Sequence, residues 1–255
     1  MNIAIIGYGR MGHLLEKVIE KTKYKTVAII DPKIEEEGKK YREISKEALE
    51  NVSVCVDFTV PEVVLGNVKK IAALKKNMVI ATTGWYSHLE EVKKVVEENN
   101  IGLIYSPNFS LGMNIFFRII EKASKIFDRF EDYDPFVFEE HHRLKKDSPS
   151  GTAIKIGSII IDNMERKKKA VYEKLDRKIN PEELHVVSLR GGTIPGIHIV
   201  GFDSKTDLIK LEHEARSPEG FVQGALKAAE WIKDKKGFYS IEEMMEEIIS
   251  NKNKK

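Results

Sequence analysis

The sequence predicts an α/β protein built on a doubly wound parallel sheet, with an α+β segment set into the chain before it returns to that sheet. Three observations lead there. Short apolar runs alternate with helix-spaced segments from Asn2 to Ile104, the grammar of repeated βα units. The first run stops at Gly7-Tyr8-Gly9-Arg10-Met11-Gly12, and after Phe109 the alternation gives way to two helices and a group of strand-like runs.

Asn2 to Ile6 is the first strand, and Leu14, Leu15, Val18 and Ile19 recur behind the glycines at helical spacing. Strand, Gly-x-Gly-x-x-Gly and helix, in that order, are the context a dinucleotide fingerprint requires. The first glycine permits the tight turn, the second admits a pyrophosphate close to the backbone, and the third lets helix pack on strand. Glycines also gather in loops for turn geometry alone, so the hexapeptide needs a second mark. Thr26-Val27-Ala28-Ile29-Ile30 supplies it by ending in Asp31, about 20 residues beyond the glycines, where an acid meets the adenine ribose hydroxyls. A turn cap at Asp31 ranks below that role, because position and residue type agree. An acid there favours NADH, since a 2′-phosphate would be repelled. Lys33, two residues on, would soften the preference and admit NADPH.

The third strand is read over Val52–Thr59 and is closed by Pro61, with Val63, Val64, Val68, Ile71 and Leu74 marking the next helix. Met78–Ile80 is a fourth strand ending in Ala81-Thr82-Thr83-Gly84; Leu89, Val92, Val95 and Val96 mark a helix. Ile101–Ile104 is a fifth strand, running into Tyr105-Ser106-Pro107-Asn108-Phe109. Ligands in such sheets lie at the carboxyl ends of the strands. Asp57–Pro61, Ala81–Gly84 and Ser106–Phe109 are therefore expected to rim one site with the glycine loop, although turn chemistry alone explains each singly.

Beyond Phe109, Ile115, Phe116, Ile119, Ile120, Ala123 and Ile126 predict a helix, Phe136-Val137-Phe138 a strand, and Ala153–Met164 an apolar helix. His185–Leu189, Ile197–Gly201 and Asp207–His213 read as strands, with turns at Gly191-Gly192 and Pro195-Gly196. This is an α+β domain with a mixed or antiparallel sheet. Arg166-Lys167-Lys168-Lys169 is expected to be a solvated helix end or loop. It lacks the aromatic platform of a nucleic-acid patch. Helices over Phe221–Trp231 and Ile241–Ile249 are expected to return to the uncovered edge of the first sheet. The lysine-rich tail after Ser250 is expected to fray.

Composition narrows the function classes. A chain of 255 residues can bury a sizeable core, and 42% hydrophobic with 32% charged residues suits a soluble globular protein. Lys+Arg of 42 against Asp+Glu of 40 creates no global field for nucleic acid or membrane. The single cysteine, Cys55, excludes an intramolecular disulfide and fits a reducing compartment. Met1-Asn2-Ile3-Ala4 runs straight into a strand, so no signal peptide is expected. No apolar run reaches membrane-spanning length. A cytoplasmic location is expected.

Chemistry concentrates in Glu139-Glu140-His141-His142-Arg143-Leu144-Lys145-Lys146-Asp147-Ser148-Pro149-Ser150-Gly151-Thr152-Ala153. A strand delivers this stretch and a helix starts at its end. Unpaired amides at a helix start, with the dipole behind them, bind anions, and the histidines and lysines beside them donate protons. Ser150 fits the helix N-cap. A metal site of His141, Glu139 and Asp147 ranks low. Adjacent strand residues such as His141 and His142 face opposite ways, there is no His-Glu-x-x-His, and Cys55 has no partner. Ser148 and Ser150 lack a nucleophile elbow. A structural histidine pair is the bland alternative; Lys145, Lys146 and the helix start lift the functional reading above it. A nicotinamide site together with an acid-binding, proton-donating site implies reduction of an unsaturated acidic substrate, with hydride from the cofactor and a proton from His or Lys.

The block Glu140–Ala153 resembles the signature of the 4-hydroxy-tetrahydrodipicolinate reductase family, also called dihydrodipicolinate reductases. Gly7–Gly12, Ala81-Thr82-Thr83-Gly84, Ser106-Pro107-Asn108-Phe109-Ser110-Leu111-Gly112 and Ser188-Leu189-Arg190-Gly191-Gly192 match its other blocks in order. The resemblance covers nearly the whole chain. It implies NAD(P)H-dependent reduction in the diaminopimelate route to lysine. It also implies a Rossmann-like domain of residues 1–109 plus 217–255, an inserted α+β substrate-binding and oligomerisation domain of residues 110–216, and a homotetramer built through the latter's sheets. By the same resemblance His141 and Lys145 would be catalytic, as the proton donors. His142, Lys145, Ser150, Gly151 and Thr152 would hold the carboxylates of a small dicarboxylate substrate. Gly7, Tyr8, Gly9, Arg10, Met11, Gly12, Asp31, Ala81, Thr82, Thr83, Ser106, Pro107, Asn108 and Phe109 would line NADH or NADPH, and no metal is implied. Hydride would reach C4 of the ring after loss of the 4-hydroxyl, with protonation at the adjacent carbon. The glycine loop is one residue shorter than in many members, and Ala81 and Ser148 replace the commoner Gly and Ala. Another Rossmann amino-acid dehydrogenase would lack the His-His…Pro-Ser-Gly-Thr block, and a nicotinamide-sensing binding protein would need neither His141 nor Lys145.

Overall fold

Residues 1–250 are described by the computed structural model; the tail expected to fray lies outside them. Contacts divide the chain into two compact units, Met1–Leu111 with the segment that begins at Glu219, and Gly112–Pro218. The first unit opens with β1 (Asn2–Ile6), α1 (Arg10–Ile19), β2 (Lys25–Ile30), β3 (Lys40–Tyr41) and β4 (Val54–Asp57). α2 (Pro61–Ala73), β5 (Asn77–Ile80), α3 (Leu89–Asn99) and β6 (Gly102–Tyr105) follow. The second unit carries α4 (Leu111–Phe127), β7 (Asp134–His141), α5 (Gly151–Asn163), β8 (Lys169–Val171), β9 (Glu183–Arg190), β10 (Ile197–Asp203) and β11 (Leu208–Glu214). The chain then returns through α6 (Glu219–Ile232), β12 (Gly237–Ser240) and α7 (Ile241–Ser250).

The first unit is a seven-stranded sheet in the order β12-β6-β5-β4-β1-β2-β3, every pair parallel. Its strands are buried on both faces, and side chains one residue apart feed two different cores. Ile3 and Ile5 join Leu15 of α1, Val222 and Ala225 of α6 and Met244 of α7. Ala4 and Ile6 join Val64 and Val68 of α2 and Val92 and Val96 of α3. The returning segment adds a strand as well as helices: β12 pairs with β6 at the sheet edge. Buried Asn77 ties that return down, its amide donating to the carbonyls of Ile232, Lys233 and Lys235 while its oxygen accepts from the Gly102 amide. Neither β12 nor β3 is legible in the sequence: β3 has two residues, and β12 is Gly237-Phe238-Tyr239-Ser240, with no apolar run to mark it.

The second unit is a mixed five-stranded sheet, β11-β10-β7-β9-β8. β10 runs antiparallel to β7 and β11, whereas β9 runs parallel to β7 and β8. One face buries Val137, Leu184, Val186, Val200 and Phe202 with Phe116, Phe117 and Ile120 of α4 and Ile156 and Ile160 of α5. α4 forms over the segment where helical spacing predicted it. Met113, Phe116, Phe117, Ile120 and Ser124 turn inward, while Ile115, Ile119 and Ile126 stay exposed at 48%, 45% and 56%. Positions i, i+3, i+4 and i+7 share a face, and the bulkier aromatic pair decides which face that is. The opposite face of the sheet carries a row Val187–Phe138–Ile199 in register across three strands.

The basic run needs correction. Lys168 and Lys169 are exposed as expected, but Lys167 is only 2% exposed. Its ammonium donates to Asp134 Oδ1 at 2.6 Å and to the carbonyls of Pro181 at 2.7 Å and Glu183 at 2.9 Å. Arg166 donates to the carbonyls of Phe127, Glu131 and Tyr133. Loop carbonyls beside strand starts have no ladder partners, and these two cations satisfy them. Among the described residues no helix is long and apolar enough to cross a membrane.

Candidate active site

In the first unit the register aligns the strand ends. Ile30, Ile6, Asp57, Ile80 and Tyr105 lie in one row across β2, β1, β4, β5 and β6. The residues that follow them, Asp31, Gly7, Phe58, Ala81 and Ser106, therefore share one edge of the sheet. Gly7 sits at φ +87°, and a Cβ there would stand 2.7 Å from the Phe58 carbonyl oxygen. Gly12 belongs to the first turn of α1, where a Cβ would overlap the Gly7 carbonyl. Nothing lies within 4 Å of the Cβ position at Gly9. Gly9 is also the N-cap of α1 and offers no side chain to its amides. Tight turn, close helix packing and an open, amide-lined approach are what a pyrophosphate at a helix start requires. Arg10 and Met11 occupy that first turn.

Asp31 accepts from the Tyr8 amide at 2.8 Å and the Lys33 amide at 2.9 Å. The second bond is the turn-cap role ranked lower above; a carboxylate has lone pairs left for ribose hydroxyls as well. The Tyr8 ring lies against His13 with centroids 3.8 Å apart, and its hydroxyl donates to Glu16, which also receives Lys39 at 2.6 Å. Burial, with Glu16 beside it, pushes the Tyr8 hydroxyl up to about 12.

Several rim residues are committed to structure. Asp57 is fully buried and accepts from the Thr59 amide and hydroxyl, the Thr82 hydroxyl and the Asn67 amide. The Thr82 side chain thus knots β5 to β4, and its carbonyl accepts from Trp85 Nε1. Ser106 Oγ accepts from the Asn108 amide at 3.0 Å and donates to the Asn108 carbonyl. Phe109 places its ring in the core, so its side chain is not a rim group. Ala81 is half-buried, and Thr83 and Pro107 are exposed.

The second unit assembles the acid–base group. Glu139 and His141 share the helix-facing side of β7, because alternate strand residues point one way. Fully buried Glu139 accepts from Arg190 of β9 at 2.8 Å and from the Ser150 amide at 3.1 Å, both on Oε1. Its other oxygen, Oε2, meets His141 Nδ1. Burial would push the Glu139 carboxyl up; hydrogen bonds from Ser188, Arg190 and the Ser150 amide outweigh it and hold the group below its usual range. Burial lowers His141; Glu139 opposes this, and Lys145 and Arg190 reinforce it. His198 of β10 sits edge-on to His141 at 5.1 Å, with Nε2 at 3.3 Å from Ser150 Oγ. Burial foremost pushes His198 down to about 4.

Ser150 is the N-cap of α5, accepting from the Ala153 amide at 3.1 Å as the sequence suggested. The amides of Gly151 and Thr152 have no protein acceptor among the described residues, and a Cβ at Gly151 would meet nothing within 4 Å. This is an open anion seat. Lys145 pairs with Asp147 at 2.9 Å and holds its carboxyl below the ordinary range. His142 is the first residue past β7, and its carbonyl accepts from the Lys145 amide.

Glu139, His141 and His198 offer ligand atoms within 4.8 Å of one another. Asp147, the third member of the metal set weighed from sequence, is absent from that trio and is spent on Lys145. Arg190 and Lys145 flank the trio, and cations oppose a further cation, so proton handling fits it better. The sequence weighed Glu139 only as a low-ranked metal ligand and gave Arg190 and His198 no role of their own, because they look like ordinary strand residues. The available signal was a polar residue at an inward position of an otherwise apolar alternation.

A family model described as Dihydrodipicolinate reductase, N-terminus matches residues 1–109, and one described as Dihydrodipicolinate reductase, C-terminus matches residues 112–245. A 4-hydroxy-tetrahydrodipicolinate reductase of Christiangramia forsetii is 33% identical over 98% of this chain and 100% of its own. One from Archaeoglobus fulgidus is 37% identical over 96% of this chain and 100% of its own. Among solved structures, a dipicolinate-bound dihydrodipicolinate reductase from Paenisporosarcina sp. TG-14 shares the fold with a TM-score of 0.78 at 22% identity, covering 96% of this chain and 99% of that one. A diaminopimelate dehydrogenase of C. glutamicum shares the fold more distantly, with a TM-score of 0.56 at 14% identity over 98% of this chain and 99% of that one.

Proposed function

The chain belongs to the dihydrodipicolinate reductase family, and we propose that His141 and Lys145 handle the proton in its reaction. That reaction is the NAD(P)H-dependent reduction of 4-hydroxy-tetrahydrodipicolinate to tetrahydrodipicolinate, on the diaminopimelate route to lysine. The bound nicotinamide supplies a hydride. The substrate loses its 4-hydroxyl as water, carbon 4 takes the hydride, and the adjacent carbon takes a proton.

The observation that carries the assignment is the Glu139–His141 contact. A carboxylate accepts only, so Nδ1 bears a hydrogen and Nε2 is left as the exchanging atom. The Ser150 amide on the same carboxylate brings the start of α5 alongside. We assign the free amides of Gly151 and Thr152 to one substrate carboxylate, with His142 and Ser150 beside them and Lys145 as the mobile cation. Residues 1–109 plus 217–255 are assigned to the cofactor and 110–216 to substrate and oligomer. Gly7–Gly12 and the backbone of Ala81–Thr83 and Ser106–Phe109 line the cofactor, and Asp31 gives NADH the advantage while Lys33 admits NADPH. The apolar row Val187–Phe138–Ile199, on the sheet face away from α4 and α5, supports a homotetramer formed through that sheet.

The test is loss of reduced-nicotinamide absorbance, with substrate made in place from pyruvate and aspartate semialdehyde by the preceding synthase. His141→Gln and Lys145→Ala are each expected to lose about 10²- to 10⁴-fold in kcat while binding the cofactor normally. Full turnover in either variant refutes that residue's role.

A further inference from the structure

We propose that Glu139 is the positioning residue for His141: its buried carboxylate fixes the imidazole with Nδ1 protonated and Nε2 presented for proton exchange. This rests on the assignment of His141 given above. Glu139 touches neither substrate nor cofactor in this scheme and acts through the ring it holds.

Three features single it out. Glu139 is a fully buried carboxylate on the strand face that carries buried Val137, a placement that costs stability unless the charge is partnered. Its partners divide the work. Arg190 and the Ser150 amide satisfy Oε1, and Oε2 lies against His141 Nδ1. The far side of the ring is kept clear by Gly196, at φ +136°, where a Cβ would stand 3.1 Å from His141 Nε2. One ring nitrogen is thus engaged by a buried anion and the other is left uncrowded. That arrangement stabilises the imidazolium that gives up its proton, while the carboxylate itself stays ionised.

The charged and titratable groups that face His141 are Glu139 on its own strand, Lys145 in the loop that follows, Arg190 on β9 and His198 on β10. Of these only Glu139 favours the protonated ring; the others oppose it. Removing the carboxylate therefore lowers the pH at which His141 gives up its proton. For a proton donor, kcat/KM falls above that pH, so the alkaline limb moves down.

The experiment compares kcat/KM against pH for wild type, Glu139→Gln and Glu139→Asp, with the ¹⁵N NMR spectrum of the His141 ring. Glu139→Gln is expected to lower kcat on the order of 10²-fold, to move the limb down by about one pH unit or more, and to leave cofactor affinity unchanged. Gln keeps an oxygen for Arg190 and turns its NH₂ toward the ring, so the ring hydrogen should shift to Nε2. Glu139→Asp, which retains the charge, should return the limb toward wild type. The wild-type spectrum needs no variant: a ring protonated at Nε2 alone overturns the inference. So does a limb that stays in place in Glu139→Gln while His141→Gln is inactive. An active His141→Gln instead refutes the underlying assignment. Chelator-treated wild type should keep its turnover; loss restored by Zn²⁺ would make the trio a metal site and also overturn the inference.

Discussion

Replacing Lys167 by Met tests the least expected feature of the second unit. Met keeps the length of the side chain and removes the ammonium, which is 1% exposed and donates to Asp134 Oδ1, the Pro181 carbonyl and the Glu183 carbonyl. Asp134 is 61% exposed and can rehydrate, so its loss is small. The two carbonyls are left without a donor. Each buried acceptor stranded in this way costs about 1–3 kcal/mol, partly offset because a cation no longer has to be desolvated. A net loss of ~3 kcal/mol is expected. For a unit of about 100 residues that is a fall of about 12–24 °C in the melting midpoint. The two units can melt separately, so the measurement is thermal unfolding combined with hydrogen exchange at the starts of β7 and β9. Those starts are where Lys167 acts, and the same strands carry Glu139, His141 and Arg190. Asp134→Asn is the control: its carboxylate is exposed, and its loss should cost under ~1 kcal/mol. Equal effects from the two substitutions, or less than ~1 kcal/mol from Lys167→Met, would refute this account of the buried ammonium.

Other consequences are accessible to the same preparations. Gly196→Ala puts a methyl 3.1 Å from His141 Nε2 at a φ of +136°; kcat should fall on the order of 10²-fold with cofactor affinity intact, and unaltered turnover would show that Nε2 is not the exchanging atom. Buried His198 stays neutral in the fold down to about pH 4, against 6.5 for an ordinary imidazole, so the unfolded chain takes up its proton first as pH falls. Stability is therefore lost between pH 6.5 and 4, by at most ~1.4 kcal/mol per pH unit from this group; His198→Asn should flatten denaturant midpoints over that window, and an unchanged slope contradicts the burial. Asp31→Asn keeps an acceptor for the Tyr8 amide but removes the charge, and should shift the ratio of kcat/KM toward NADPH by about tenfold. A ratio that does not move would take cofactor choice away from Asp31.

Much of the first unit was legible because its evidence is local. Ile3, Ile5 and their neighbours alternate with helices at a regular beat, and Gly7, Gly9 and Gly12 each answer a separate steric demand. Ser150 was readable as a cap for the same reason: the bond it makes lies three residues away. Where reading failed, the missing information was non-local. The helix of α4 was legible but its buried face was not, since spacing in an apolar-rich helix does not say which face its neighbour takes. The run Arg166–Lys169 looked solvated because charge runs usually are, and nothing local announces three acceptors waiting for Lys167. Thr82 and Phe109 keep their places at the strand ends; what spacing could not show is that their side chains turn to the Asp57 knot and the core.

The sequence by itself determined the alternating α/β grammar, the glycine turn, the acid at Asp31 and the strand–loop–helix that carries His141, Lys145 and the anion-binding amides. All of these depend on spacings within a few residues or on one short period, which chain geometry converts directly into structure. Tertiary structure alone decided the company His141 keeps. Glu139 and Arg190 meet across 51 residues, and His198 arrives from a third strand, because the pairing order β10-β7-β9 brings those strands side by side. A linear chain fixes which residues are available; only the pairing of strands decides which carboxylate lies against which imidazole, and in how dry a place.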